Sequence, residues 1–230
     1  MANGPGGAPL AWRTVDIIVT AVLGVAFGVV FFVWNNIYPL FGTLFGAYPP
    51  AQALFYGMWM LPGVLCMLVV RKAGAAVFGS TVAATVSVFF GAPQPLMIVF
   101  WGLMQGVLPE SIFLATRYRR FGLGIAVPAA TVAGLWAGVL DPVLWMPEWP
   151  TAHRLAYLVF VLISSAVIGG LGAGGLVRAL RPTGVLAPFP SGGRAPAELP
   201  GSTADRSIPS ESNTSESDTG EADPTGTSRQ

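Results

Sequence analysis

The sequence predicts an all-α integral membrane protein with six transmembrane helices, both termini in the cytoplasm and a disordered C-terminal tail. Its composition is 53% hydrophobic and only 10% charged, with a mean hydropathy of +0.63, whereas a soluble domain carries about 25% charged residues. Six apolar runs approach the ~20 residues that a helix needs to cross a bilayer. Basic residues occupy alternate gaps between these runs: Arg13, Arg71, Lys72, Arg117, Arg119, Arg120, Arg178 and Arg181 lie on one side, and Arg154 lies on the other. Because short cytoplasmic loops are enriched in Lys and Arg, this asymmetry places both termini inside the cell, in a multi-pass protein of the plasma membrane.

The predicted spans follow one another with gaps of alternating character. They cover residues 17–34, 53–70, 75–90, 96–116, 123–145 and 155–180. The first run is long enough to span and lacks the features of a cleaved signal peptide, so we expect a retained helix. The outer gaps are rich in Trp, Tyr, Pro and amide side chains. The longest of them, residues 35–52, is too long for a tight helix hairpin and could act as a lid.

The chain changes character after the sixth run. From Pro182 onward Gly, Pro, Ser, Thr and acidic residues dominate, and almost no large apolar residue follows Phe189. Such a segment cannot bury enough apolar surface to offset the entropy of ordering it. We therefore predict a six-helix membrane domain over residues 1–181 and a disordered cytoplasmic tail over residues 182–230.

Several functional classes lack their motifs in this sequence. There is no GxxxxGK[ST] nucleotide-binding loop, no CxxC pair, and no HExxH or GxSxG sequence. We therefore expect no ATP hydrolysis or other enzymatic activity by this chain, and no cofactor or metal. The net charge of +1 does not indicate nucleic acid as a partner. Cys66 lies in an apolar run and is expected to be a buried filler.

Two acids lie towards the basic side of the predicted bundle. Asp16 opens the first span beside Arg13, where a carboxylate caps a helix N-terminus, and a role as a ligand is the alternative. Glu110 lies within the fourth span, about two turns from its basic end. It either pairs with Arg117 or Arg119 or contributes to a solute site, because ionisable groups inside a membrane are costly and often functional.

Asp141 lies near the outer end of the fifth span, close to Trp and amide side chains. A carboxylate beside aromatic rings suits a cationic or amine-bearing aromatic solute, while capping of the helix end is the alternative. Interfacial anchoring is likewise the alternative for each aromatic residue. The candidate solute-binding residues are Trp34, Tyr38, Gln52, Tyr56, Gln94, Trp101, Gln105, Glu110, Trp136, Asp141, Trp145 and Glu148.

A stripe of small residues runs along the first span at intervals of four. Thr20, Gly24 and Gly28 form a surface that another helix can approach closely. The partner helix is either part of this chain or part of a different subunit.

Four segments together resemble a known family. These are Trp12-Arg13-Thr14-Val15-Asp16-Ile17, Tyr56-Gly57-Met58-Trp59, Arg71-Lys72-Ala73-Gly74-Ala75-Ala76, and Gln105-Gly106 through Glu110 with Arg117-Tyr118-Arg119-Arg120. In this order they resemble the YkoE family, the substrate-binding S component of an energy-coupling-factor (ECF) ABC transporter for thiamine or its hydroxymethylpyrimidine precursor. The resemblance covers about residues 12–180.

The resemblance implies a division of labour between subunits. Separate ATPase subunits would hydrolyse ATP, and a transmembrane coupling protein would join them to this chain at the stripe of Thr20, Gly24 and Gly28. The S component would bind its solute near the outer face and then topple in the membrane. Two other interpretations stay open at this point: a structural or assembly protein without a solute, and a self-sufficient secondary transporter.

Overall fold

The structure, a computed structural model, describes residues 11–92, 94–183, 186, 189 and 191. Its described part is helical and contains no strand. The α-helices are α1 (Thr14–Leu44), α2 (Leu61–Val70), α3 (Ala75–Phe89), α4 (Pro95–Ala115), α5 (Leu123–Trp145), α6 (Thr151–Ser164) and α7 (Ala173–Leu180). A 3-10 segment, Pro49–Met60, leads into α2, a π-helical segment, Ser165–Gly172, joins α6 to α7, and a short 3-10 turn, Arg181–Thr183, follows α7.

These elements make six passes through the bundle, as predicted. Within the described chain, five continuous helical stretches are long and apolar enough to cross a membrane, with the 3-10 segment and α2 counted as one stretch and α6 to Thr183 as another. The remaining pass, α3, has 15 residues, which at about 1.5 Å per residue spans roughly 22 Å. It packs between α1 and α4, so its short apolar length faces protein on two sides.

The centre of the bundle is α2. All ten of its residues are buried. The sequence alone does not distinguish this central run from the other apolar runs. The peripheral helix α1, by contrast, exposes a row of Val, Ile and Leu side chains. In a membrane protein such an exposed apolar face lies against lipid and requires no further partner.

The first outer gap is largely helical, so the predicted lid over residues 35–52 is wrong. Helix α1 continues to Leu44 and the next helical segment begins at Pro49, which leaves a short connection. Pro39 lies inside α1. Proline removes one helical hydrogen bond there but does not end the helix, and membrane helices tolerate such a loss. Asn36 adapts to the helix by donating its side-chain N–H to the Phe32 carbonyl at 2.7 Å.

The small-residue stripe packs inside this chain. Thr20, Gly24 and Gly28 are buried. A Cβ atom added at Gly24 would lie 2.8 Å from the Val82 side chain, and one at Gly28 would lie 2.5 Å from the Val86 side chain. The assignment of this stripe to the coupling subunit is therefore wrong, because α3 already occupies the surface.

The basic ends of the helices meet at one end of the bundle. Trp12 Nε1 donates to the Ala73 carbonyl at 2.9 Å, and Lys72 Nζ donates to the Ala11 carbonyl at 2.9 Å. Asp16 accepts the Arg13 N–H at 3.0 Å and lies 3.9 Å from Lys72 Nζ. The prediction that Asp16 caps the first span is confirmed.

Part of the segment assigned to the tail packs on this basic end. Leu186 and Phe189 are buried, and Ser191 Oγ donates to the Val69 carbonyl at 3.0 Å. The boundary at residue 181 is therefore too early for these residues. The remainder of the predicted tail, residues 192–230, lies outside the described residues.

Candidate solute-binding site

A cavity of about 370 Å³ lies in the half of the bundle opposite the basic end. Its walls come from α1, the 3-10 segment, α3, α4, α5 and α6. Gln94, at the start of α4, and Trp145, at the end of α5, line it near the outer ends of these helices. The volume falls within the ~300–1,000 Å³ typical of sites for small organic ligands.

Asp141 provides the carboxylate of the cavity. It is 5% exposed, and its Oδ1 accepts the Trp101 indole N–H at 3.0 Å while its Oδ2 accepts the Tyr157 hydroxyl at 3.3 Å. The Tyr56 hydroxyl also contacts this carboxylate. A carboxylate has about four acceptor positions, so these three donors still leave capacity for a ligand. The carboxylate bonds to side chains of other helices, and α5 continues past it to Trp145, which is not the geometry of a helix-end cap.

The charge of Asp141 has no basic counterpart in this cavity. None of the described lining residues is Lys, Arg or His, and the ion pairs found among the described residues belong to Asp16. A buried charge without a counter-charge is costly. The cavity is therefore electrostatically suited to a cation or to a strong hydrogen-bond donor.

Aromatic rings form one wall beside this carboxylate. The Trp59 ring centroid lies 4.6 Å from that of Tyr38 and 4.9 Å from that of Tyr56. Trp59 Nε1 donates to Asn35 Oδ1 at 3.2 Å, which fixes the plane of the indole. Tyr56 and Trp59 are three residues apart in a 3-10 segment, in which residues i and i+3 lie on the same side.

Trp101 lies on α4, and Trp136 of α5 supports it from behind at a centroid distance of 4.9 Å. Aromatic pairs at 4.5–7 Å are attractive and orient one another. The cavity thus has fixed indole rings on two different elements, Trp59 and Trp101. A flat heteroaromatic ring suits the space that such rings line.

Amide groups supply further hydrogen-bonding positions in the cavity. Gln105 lines the cavity and is 3% exposed. Asn35 also lines it and lies one helical turn before Pro39. Because Pro39 has no N–H, the backbone carbonyl of Asn35 lacks its usual helical donor. Gln94 has a φ of 56°, a left-handed conformation that is strained for a non-glycine residue. These groups donate and accept without adding charge.

Seven of the twelve predicted solute-binding residues meet in this cavity: Tyr38, Tyr56, Gln94, Trp101, Gln105, Asp141 and Trp145. Acid, amides and aromatic rings therefore converge on one space. The interpretation as a purely structural protein implies that these residues scatter towards the lipid headgroups. They do not: all seven line the same cavity.

The other five predicted residues do not line the cavity. Trp34 lies behind Trp59, at a centroid distance of 6.4 Å, and Trp136 lies behind Trp101. Gln52 is buried against α1, where its Oε1 would lie 2.9 Å from a Cβ atom at Gly42. Glu148 is exposed in the connection between α5 and α6.

Glu110 lies outside the cavity and caps α3 from another helix. Its carboxylate accepts the backbone N–H of Gly74, of Ala76 at 3.2 Å and of Val77 at 3.3 Å, together with the Tyr118 hydroxyl at 3.1 Å. Acidic groups are favourable at helix N-termini, where backbone N–H groups have no partner within the helix. Glu110 therefore does not line the cavity, and it forms no ion pair with Arg117 or Arg119 among the described residues.

Besides burial, the hydrogen bond to Glu110 contributes to a raised pKa of Tyr118, which lies in the connection after α4. Burial, with the Glu110 charge and hydrogen bond as smaller causes, raises the pKa of Tyr118 to about 12. The hydroxyl thus stays protonated as a donor to Glu110.

Trp59 and Tyr157 are the main site residues that the sequence analysis did not select. Trp59 has a detectable signal, because it is three residues after Tyr56. Tyr157 is a phenol in an apolar helix, and a buried tyrosine hydroxyl usually requires a partner. The remaining lining residues show no distinctive pattern in the sequence: Phe31, Ala84, Ser87, Met97, Ile98, Gly102 and Met146.

A helical membrane bundle that encloses a cavity of this size fits a membrane subunit of a transporter. The chain belongs to the family described as the permease component of ABC-type cobalt transport systems, which matches residues 15–136.

Two individual relatives agree with this assignment. The chain is 29% identical over 177 residues to the putative HMP/thiamine permease protein YkoE of Bacillus subtilis (strain 168), covering 76% of this chain and 88% of that protein. It superposes on a crystal structure of an S component of an ECF transporter with a TM-score of 0.74 and 28% identity, covering 79% of this chain and 92% of that chain. The predicted resemblance to S components is confirmed, as is a multi-pass protein of the plasma membrane.

Proposed function

We propose that this protein captures thiamine or its hydroxymethylpyrimidine precursor at the outer face of the membrane, as the S component of an ECF importer. The observation that carries the proposal is the buried Asp141 carboxylate, without a basic partner in its cavity and beside fixed indole rings. The name of the Bacillus relative supports the same solute class.

The chemistry of an aminopyrimidine matches the polar groups of the cavity. Its exocyclic amine donates to Asp141, and its flat ring stacks against Trp101 or Trp59. The ring nitrogens accept from the amide of Gln94 or Gln105. A solute that also carries a positive charge gains from the uncompensated carboxylate and from the faces of the aromatic rings.

A metal ion is a poorer match for these residues, although the family description mentions cobalt. Among the described residues there is no group of three or more His, Cys, Asp and Glu side chains that could hold a metal. Asp141 is the single carboxylate among the described residues that line the cavity. A divalent transition metal prefers several imidazole, thiolate or carboxylate ligands.

The energy for import comes, in this proposal, from other subunits. S components of ECF transporters associate with an energy-coupling module, and this sequence has no nucleotide-binding loop of its own. We infer that a transmembrane coupling protein and ATPase subunits complete the transporter, and that this chain is not an enzyme. The coupling protein contacts a surface other than the buried stripe of Thr20, Gly24 and Gly28.

The test is a calorimetric titration of the detergent-purified protein with hydroxymethylpyrimidine, thiamine and Co²⁺. A hydrogen bond to a charged group contributes about 1.5–3 kcal/mol, so Asp141→Asn should weaken binding of the organic solute about tenfold to a hundredfold. Glu148→Gln is the matched control, since Glu148 is an exposed outer acid that does not line the cavity. Equal affinity in wild type and Asp141→Asn, or binding of Co²⁺ alone, would refute the proposal.

A further inference from the structure

A second, smaller cavity of about 100 Å³ lies at the basic end of the bundle. It is formed where α2 ends, α5 begins and α7 passes. Three arginines, Arg71, Arg178 and Arg181, line it together with apolar groups that include Phe121 and Leu123. We call this site the arginine pocket.

The arginine pocket lacks an acidic partner within the described chain. The two described acids on the basic side are already engaged, Asp16 at the start of α1 and Glu110 at the start of α3. Residues 149–197, which include two of the three arginines, contain no Asp or Glu. Within the described chain, the positive charge of the pocket therefore has no acidic partner.

The arginines are held near one another in spite of their like charge. Arg71 has a φ of 55° at the end of α2, and its guanidinium lies over the Phe121 ring, 5.4 Å from the centroid. Arg181 Nε donates to the Ser191 carbonyl at 2.9 Å. Burial, and then the neighbouring charge of Arg181, lowers the pKa of Arg71. An anion between these groups would relieve that repulsion.

Arg178 is the member of the set that is most available to a ligand. It is exposed, and it makes no hydrogen bond or ion pair with any other described residue. It lies one turn after Gly174, whose missing side chain keeps the pocket open: a Cβ atom there would collide with Leu123.

We propose that the arginine pocket binds the phosphate headgroup of an anionic phospholipid in the cytoplasmic leaflet. Basic pockets between helices at that membrane face suit such headgroups. The cavity accepts a phosphate group but not a whole lipid, so the acyl chains must run outside it. Leu171, one turn before Gly174 towards the membrane centre, is 47% exposed and offers an apolar surface for them. This site is separate from the solute cavity and does not rest on the proposed function.

The experiment compares lipid retention by native mass spectrometry of the full chain in detergent, mixed with phosphatidylglycerol or phosphatidylcholine. Wild type is expected to retain phosphatidylglycerol in preference to phosphatidylcholine. Arg178→Gln with Arg181→Gln should reduce that preference roughly tenfold or more, since each basic residue contributes about 1 kcal/mol towards an anionic surface. Arg119→Gln with Arg120→Gln removes the same charge from the same side outside the pocket, and should leave the preference near the wild-type value.

Equal losses in the two double variants would overturn the proposal, because they would show general attraction to the basic face. Absence of a phosphatidylglycerol preference in wild type would overturn it as well. Displacement of the lipid by millimolar inorganic phosphate would exclude a lipid-specific site. The single variant Arg178→Gln keeps the test valid if the double variant misfolds, because Arg178 has no described polar partner to lose. If Arg178→Gln kept the full preference for phosphatidylglycerol, that result would contradict lipid binding in the arginine pocket.

Discussion

The indole N–H of Trp101 donates a 3.0 Å hydrogen bond to Oδ1 of Asp141 and so connects α4 to α5 at the wall of the solute cavity. The bond orients a buried carboxylate without neutralising it, because the donor is uncharged. The aromatic ring that stacks on a solute and the acid that accepts its amine are thereby held in one fixed arrangement. Such preorganisation lowers the entropy lost when a ligand binds.

Replacement of the indole should therefore affect solute binding through both groups. Trp101→Phe removes the donor to Asp141 and reduces the stacking surface, and we expect hydroxymethylpyrimidine to bind at least about tenfold more weakly, from the loss of one hydrogen bond to a charged group. Trp136→Phe is the control, because Trp136 supports Trp101 without lining the cavity. Calorimetric dissociation constants that rise equally in both variants would argue against a direct role for Trp101.

Tyr157 tests the second hydrogen bond of the same carboxylate. Tyr157→Phe keeps the ring and removes the hydroxyl that donates to Oδ2 at 3.3 Å. We expect weaker solute binding, and a loss of stability of about 1–3 kcal/mol since a buried acceptor loses a partner. Thermal unfolding in detergent and a solute titration measure the two effects. Tyr48→Phe, at an exposed tyrosine of the outer connection, should change neither.

Glu110 should behave as a structural residue and not as a ligand. Glu110→Gln weakens the cap on α3, because an amide offers a single uncharged oxygen to the backbone N–H groups. Loss of a cap costs about 1 kcal/mol, so the unfolding temperature should fall while the solute dissociation constant of the folded protein stays the same. If Glu110→Gln had normal stability but impaired solute binding, Glu110 would be a solute ligand and not a helix cap.

The glycine stripe offers a test of internal packing. Gly28→Leu places a side chain where even a Cβ atom lies 2.5 Å from Val86, and overpacking of this kind costs about 1–3 kcal/mol or more. We expect a lower unfolding temperature and a lower yield of the isolated chain, with no partner present. Val29→Leu, on the exposed face of α1, is the matched control. An isolated Gly28→Leu chain as stable as wild type would contradict the packing of α1 on α3.

Membrane orientation can be checked by labelling single cysteines from outside the cell in a Cys66→Ala background. Ala47 and Trp149 lie in the connections at the cavity end, whereas Ala73 and Gly122 lie in connections at the basic end. The positive-inside rule places the basic end in the cytoplasm. Probes at the first pair should react and probes at the second pair should not. Reaction from outside at Gly122 would reverse the orientation.

Periodic and compositional features of the sequence were sufficient for the fold and for part of the site. The apolar runs predicted all six passes, and the fifth, residues 123–145, coincides with α5. An acid within an apolar run is costly unless it has a function, so the sequence alone singles out Asp141 as a candidate. The Asn and Pro residues within 35–44 favour a loop, whereas in the bundle these residues form the end of α1.

Long-range contacts explain the remaining errors. Glu110 contacts Gly74 and its neighbours, 36 positions away in the sequence, and no local pattern reveals which helix start a buried acid will cap. The same holds for Gly24 and Gly28: a small-residue stripe predicts close helix contact but not the identity of the partner. Tyr157 joins the site only because α6 packs on α5.

Mass spectrometry of the small molecules that co-purify with the detergent-solubilised chain tests the central claim most directly. The protein would be isolated in parallel as wild type, Asp141→Asn and Glu148→Gln, at matched yields of folded protein. We expect an aminopyrimidine-bearing solute, thiamine or hydroxymethylpyrimidine, with wild type and Glu148→Gln, and its loss from Asp141→Asn. Recovery of the same solute in equal amount from Asp141→Asn, or of a solute without an amine or a positive charge from wild type, would contradict the account.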